Sequence, residues 1–295
     1  MLVAALGFAI MSTLVKIGAT KFSSAELVFY RSAFGLLVIY GYIFAKKLPL
    51  KTPVMAKQMS RAVVGFASLV LFFYAIANLP LATAVTLNYT SPLFLALFMP
   101  FLLRHEHKKS VSKKGLYIAV VLGFIGVLML LKPTLNSKDA LAGAMGLLSG
   151  IGAALAYVHV KQLGNVNEPD WRTVFYFTLI STIGAGAWMG FSYLFGKSWL
   201  FRQDFTAVTL SDLALLVGLG VSSTIAQLAL TRAYRTGNTL TVASLAYVTV
   251  VLASLFGIVL WQEQLSFSEW LAIALIILSG IISVNATNAS SQTTK

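Results

Sequence analysis

The chain has 295 residues, of which 58% are hydrophobic and only 11% are charged. Soluble domains carry about 25% charged residues, so an ordinary soluble fold is excluded, and the lack of cysteine excludes disulfide and thiol chemistry. The formal net charge of +13 is read as basic loops at a membrane surface and not as a nucleic-acid face.

The apolar residues fall in blocks of roughly 18–23, long enough to cross ~30 Å of hydrocarbon as helices. A membrane barrel would instead alternate over ~10-residue segments. Ten spans are predicted, over residues 2–19, 24–45, 62–79, 81–103, 114–132, 141–161, 173–195, 212–232, 239–261 and 268–285. Nothing basic precedes the apolar run in "MLVAALGFAIMSTLVK", so it reads as a first span and not as a cleaved signal. Ser112, Asp139 and Asp212 stand ahead of apolar runs as N-caps do. "SFSE" from Ser266 to Glu269 has the capping-box form.

Polar groups at membrane depth are costly and tend to face a cavity or another helix. The first span carries Ser12 and Lys16. Arg31 lies about two turns into the second, where an arginine costs roughly 2.5–3.5 kcal/mol to insert. Three readings stand for Arg31: snorkelling outward, pairing with Glu26 or a carbonyl, or meeting an anionic substrate group. Lys16 shares them, with snorkelling favoured because it is a turn from the outer end.

"NLPL" at 78–81 leaves almost no loop between the third and fourth spans. In the fourth, Thr83, Thr86 and Thr90 share a stripe with Tyr89 beside it. Asn88 precedes Pro92 by one turn, so the ring should bend the helix there and free the Asn88 carbonyl. Pro92's repeat partner would be Thr249, which makes the two halves unequal at this point.

Gly115, Ala119 and Gly123 in the fifth span, and Gly143, Gly146 and Gly150 in the sixth, make small-residue faces for close packing. The sixth span also carries Tyr157, His159 and Lys161. His159 has two readings, a plain interfacial position or a proton relay. Ser223, Gln227 and Thr231 form a stripe in the eighth span, and Thr241, Ser244, Tyr247 and Ser254 one in the ninth. These hydroxyls either line a cavity or bond their own helices. "RHEHKK" at 104–109 is a solvated basic loop, since His105 and His107 point apart on a helix and suit no metal. No phosphate loop or cofactor motif occurs.

Loop charge sets orientation. One side holds Lys46, Lys47, Lys51, Lys57, Arg61, Arg104, Lys108, Lys109, Lys113, Lys114, Lys161, Arg172, Arg232, Arg235 and Lys295. The other holds Lys21, Lys132, Lys138, Lys197 and Arg202. Both termini are therefore placed in the cytoplasm.

The chain repeats itself. "PLFLALFMPFLLRHE" ends at Glu106 and "TVVLASLFGIVLWQE" ends at Glu263, and Gly123 meets Gly280 at the same offset. Lys16 matches Lys161, and Phe29 and Tyr30 match Phe175 and Tyr176. Each half has five spans, and an odd number inverts the second half. The basic 4–5 loop faces an uncharged-to-acidic counterpart, "QEQLSFSE", which agrees. Inverted repeats are a signature of secondary transporters, with the site near the midplane.

With these residues in view, the chain resembles the drug/metabolite transporter superfamily in its ten-helix EamA branch. The resemblance is carried by "FYRSAFGLL" at 29–37, "FYAIANLPLATAVTLNYTSPLFLALF" at 73–98 followed by Glu106, and "AYRTGNTLTVASLAYVTVVLASLFGIVLWQE" at 233–263. It implies an all-α membrane protein, with two inverted repeats (1–133 and 139–287), a cytoplasmic tail at 288–295, and a bacterial inner-membrane location. It also implies a central cavity built by the third, fourth, eighth and ninth spans, with the first and sixth beside them. The expected cavity residues are Ser12, Thr86, Asn88, Tyr89, Thr90, Tyr157, Gln227, Thr231, Ser244 and Tyr247, with Arg31 and Lys16 substrate-facing or structural.

The expected activity is transport of a small organic metabolite, such as an amino acid or related amphipathic compound, by alternating access. Export is the first expectation and uptake the alternative. Small four-helix relatives carry a glutamate in their first helix, and none stands here, so proton coupling lacks its usual carboxylate. A membrane enzyme would need a His, Asp or Glu cluster that the spans do not offer. A lipid-handling or scaffold protein would show no saturable solute flux.

Overall fold

The computed structural model describes residues 1–102, 115, 118, 121–123, 125, 126, 129, 137–195, 208–237 and 239–289. The regular structure of these residues is helical throughout: α1 (Leu2–Gly18), α2 (Ser24–Ala45), α3 (Met55–Asn78), α4 (Leu81–Asn88), α5 (Ser91–Leu102), α6 (Ser137–Asn165), α7 (Asp170–Phe195), α8 (Leu210–Thr236), α9 (Thr239–Ala246), α10 (Val248–Trp261) and α11 (Phe267–Ala289). Among the described residues, five helices are long and apolar enough to cross a membrane, with shorter apolar helices beside them. Leu37, Phe44, Phe191 and Val259 stand on the outer surface. Such a belt suits lipid and not water, and the molecule is a multi-pass membrane protein.

Helix ends follow local chemistry. Ser23 and Glu26 close a reciprocal capping box on α2. Thr209 and Asp212 do the same on α8, so Asp212 is the third helical residue and Thr209 the cap. Ser266 donates its backbone N–H to Glu269 at the start of α11, 2.7 Å. The sequence reading of α3 needs a larger correction. Its apolar run starts at 62, but the helix starts at Met55, because the polar turn ahead of the run also faces inward: Gln58 and Arg61 are buried. Arg61 thus belongs to a helix and not to the 2–3 loop.

The fourth and ninth spans are each broken. Tyr89 and Thr90 separate α4 from α5, and Tyr247 separates α9 from α10. Pro92 falls in the first turn of α5, where its missing donor is harmless. The bend expected in the turn from Asn88 to Pro92 takes the form of a break at Tyr89 and Thr90, just ahead of the proline. The expected inequality of the two spans is also corrected, since the ninth breaks with Thr249 in place of a proline.

Helices from the two halves of the chain interleave. α1 packs on α8 and α10, α6 on α3, α4 and α5, and α2 on α7. Small residues permit these approaches, as they do generally between helices in lipid. Gly7 lies against Ala226 of α8, and Gly152 against Ser68 of α3. The described part of the fifth span meets α11 through Gly123 on Ser279 and Gly126 on Ile276.

Two polar clusters tie the bundle at opposite ends of α3. At the end near Asn78, Lys16 donates to the Leu79 carbonyl. There Glu263 accepts from the backbone N–H groups of Leu81 (2.7 Å) and Ala82 (3.4 Å), capping α4 from the far half of the chain. Gln262 is in the left-handed region (φ 52°), which turns Glu263 back over Gly257. At the other end, buried Glu168 accepts from Thr52 (2.8 Å), Gln58 (3.1 Å) and Arg172 (3.1 and 3.2 Å). Arg172 also donates to the Pro49 carbonyl, and Arg235 pairs with Asp170 at 3.2 Å.

Candidate functional site

A partly open cavity lies between the helices of the bundle. Its wall takes Phe8 and Met11 from α1, Arg31 from α2, and Arg61, Gly65, Ser68, Leu69 and Phe72 from α3. Asn88 and Tyr89 come from the break in the fourth span, Ala153, Ala156 and Tyr157 from α6, Phe177 from α7, and Gln227 and Leu230 from α8. The wall is mainly apolar and aromatic, with a few polar groups converging on it.

Three of those polar groups, Arg31, Arg61 and Gln227, lie close together. Arg31 and Arg61 are 4% and 3% exposed. Their guanidinium carbons lie 5.5 and 4.3 Å from the centre of the Phe177 ring, within cation–π range. Gln227 Oε1 accepts from Arg31 Nη2 at 3.4 Å, a long bond. Gly65 is a glycine for a local reason: a Cβ there would collide with the Arg61 guanidinium and lie 3.0 Å from Phe177.

Tyr157 stacks on Tyr234 at 4.7 Å and 17° between ring planes, closing the aromatic wall. Tyr89 stands at the helix break and is buried. Asn88 lines the cavity, but its amide donates to Ser149 Oγ at 2.9 Å. Ser149 in turn donates to the Gly146 carbonyl, and Ser68 donates to the Ser149 carbonyl. This chain of bonds locks the broken segment to α3 and α6. Gly150 completes the lock: a Cβ there would lie 2.8 and 2.9 Å from the Leu87 and Asn88 carbonyls. The carbonyls released by the break are therefore seated against a glycine.

Of the residues expected at the cavity from sequence, Arg31, Asn88, Tyr89, Tyr157 and Gln227 come together in its wall. Several others are placed elsewhere. The Thr86, Thr90 and Thr231 hydroxyls donate to the carbonyls of Ala82, Leu87 and Gln227, within their own segments. Ser12 is buried in α1. Tyr247 is buried against Gly280 of α11. Lys16 serves the end cluster described above. His159 shares a 3.0 Å hydrogen bond with Ser60 and a second, 2.8 Å, with the Leu155 carbonyl. The side chains of Ser244 and Thr241, and the 104–109 loop, lie outside the described residues.

Among the lining residues that sequence reasoning missed are Arg61 and Phe177. A signal for Arg61 was present: Gln58, Arg61, Gly65 and Ser68 are spaced three, four and three apart, a polar-to-small stripe on one helix face.

The chain also has relatives. The EamA-like transporter family model matches residues 1–132 and 141–285. The chain is 33% identical over 289 residues to a pseudopaline exporter of Pseudomonas aeruginosa, covering 98% of this chain and 93% of that protein. It is 25% identical to a riboflavin transporter of Vibrio cholerae, covering 95% and 89%. A crystal structure with 19% identity superposes with a TM-score of 0.64 over 95% of this chain and 96% of the other, a likeness of fold. With the family model matching most of the chain and the helical bundle holding a cavity between its helices, the chain belongs to the EamA-like transporter family.

Proposed function

We propose that this protein is a secondary transporter that exports a small organic metabolite by alternating access. The observation that carries the reading is the cavity, walled by helices from both halves of the chain and bearing buried polar groups. Export is supported by the similarity to the pseudopaline exporter. The bilayer is taken as a bacterial inner membrane with both termini cytoplasmic, on the loop-charge argument.

The architecture behind this reading is ten spans in two inverted halves, 1–133 and 139–287. Several contacts support it. The first span packs on the eighth and ninth, and the sixth packs on the third and fourth. Phe29 meets Tyr30 edge-on at 5.7 Å and 73°, and their counterparts Phe175 and Tyr176 do so at 5.4 Å and 72°. The same offset pairs Arg31 with Phe177, and these two side chains touch each other. Residues beside a two-fold axis meet their own counterparts in this way.

The test is a metabolite-wide efflux and uptake screen, with the full chain in sealed liposomes, with and without a pH gradient. Saturable, direction-dependent flux of an organic solute is expected. Tyr89→Ala and Tyr157→Ala should each lower it about tenfold while membrane levels hold, as expected for stripping an aromatic contact. Absence of saturable flux for every solute tested overturns the proposal.

A further inference from the structure

We infer that the cavity selects an organic dianion with an apolar body, held between Arg31 and Arg61 and steered by Gln227. This rests on the transport reading above. It begins from a charge imbalance. Arg31 and Arg61 are both buried over one phenyl ring, and among the described residues no carboxylate lines the cavity. The carboxylates whose side chains are described are engaged elsewhere: Glu26 with Ser23, Glu168 with Arg172, Asp170 with Arg235, Asp212 with Lys21, Glu263 with the start of α4, and Glu269 with Ser266.

Donors are also left over. Nε and Nη1 of Arg31, Nε and Nη1 of Arg61, and Nε2 of Gln227 are buried without hydrogen-bond partners. A buried guanidinium suffers a large loss of hydration, and an aromatic face compensates only part of it. Two such cations facing one ring also repel each other. A solute bringing two negative charges would answer all three deficits at once: charge, hydrogen bonds and repulsion. The guanidinium fork suits carboxylate and phosphate oxygens alike. Much of the remaining wall is apolar, with Phe8, Met11, Leu69, Phe72 and Leu230 offering hydrocarbon and thioether surface, so the body of the solute is apolar.

An isosteric change tests the sign of the charge that the cavity requires. Gln227→Glu places a carboxylate beside Arg31 and supplies internally the charge that the solute would bring. The variant should unfold at the same temperature as the parent or higher, yet bind dianions at least tenfold more weakly. Binding to the purified full chain is read by calorimetry with four probes: phenylsuccinate, phenyl phosphate, phenylacetate and phenylacetamide. The two dianions should bind, with their ratio separating carboxylate from phosphate recognition. Phenylacetate should bind at least tenfold more weakly, and phenylacetamide not at all. Arg61→Gln should lose dianion binding, and Arg61→Lys should recover part of it.

Equal binding of the neutral amide, no binding of either dianion, or unchanged dianion affinity in both Gln227→Glu and Arg61→Gln overturns the proposal. The liposome screen separates the two failures. Saturable flux of uncharged or cationic solutes that Arg61→Gln leaves intact would sink the dianion while transport stands. Dianion binding without flux of any solute would sink transport while the anion site stands.

Discussion

Arg61 and Gly150 show how single positions decide this interior. Arg61 sits one turn from Gly65, whose missing side chain leaves room for the guanidinium against Phe177. From sequence it looked like one more loop cation, because Lys57 precedes it and the apolar run begins just after it. Hydropathy marks where lipid-facing surface begins, and an inward-facing polar turn ahead of it leaves no hydropathic trace. The threonine stripes failed for a different reason. Helical spacing fixes which face a hydroxyl occupies but not whether it turns back to its own carbonyl, as those of Thr86 and Thr231 do. Gly150 makes a sharp prediction. A Cβ there would lie 2.6 Å from Thr90 Oγ1 as well as against two carbonyls, so the neighbouring segment must move. Gly150→Ala should destabilise the protein by about 1–3 kcal/mol, the usual range for overpacking. Thermal unfolding in detergent checks it, and an unchanged midpoint would show that the seat is loose.

At the scale of elements, the helical and apolar character was legible, because ~20 apolar residues have few alternatives to a membrane helix, and five of the described helices are long and apolar enough to cross. The breaks were half legible. "LNYTSPLFL" announced one through its polar run and Pro92, but the break falls at Tyr89 and Thr90, ahead of the ring. The ninth span gave no such warning and breaks at Tyr247, at the same repeat position as Thr90. Packing across the bundle, through Asn88 on Ser149 and the carbonyls on Gly150, holds the first break in place. Pro92 is then a passenger in the first turn of α5. Pro92→Ala is expected to keep the break and to leave solute flux within about twofold, since a proline in a first turn removes no helical bond. A flux loss of tenfold or more would return the break to the proline.

At the scale of the whole molecule, helices of one half of the chain find their main partners in the other, and no sequence motif states that pairing. It emerges only once small residues meet, as Gly7 does Ala226 and Gly152 does Ser68. The Glu168 cluster fastens one end of this arrangement, joining the 2–3 connection to the 6–7 connection. Glu168→Ala removes charge-assisted bonds worth about 1.5–3 kcal/mol each. Amide exchange over residues 46–58 should accelerate roughly 10- to 100-fold, as for local opening, with little change in α4. Equal acceleration in both segments would mean global loosening and not a local fastening.

The opposite end carries a further consequence, for synthesis. The carboxylate that finishes α4 belongs to Glu263, 182 residues downstream of the Leu81 amide it accepts from. While the chain is still emerging from the ribosome, the first turn of α4 has raw N–H groups in or near lipid and nothing of its own to cover them. The fourth helix is thus inserted early and completed late, and its last hydrogen bonds wait for the ninth span to arrive.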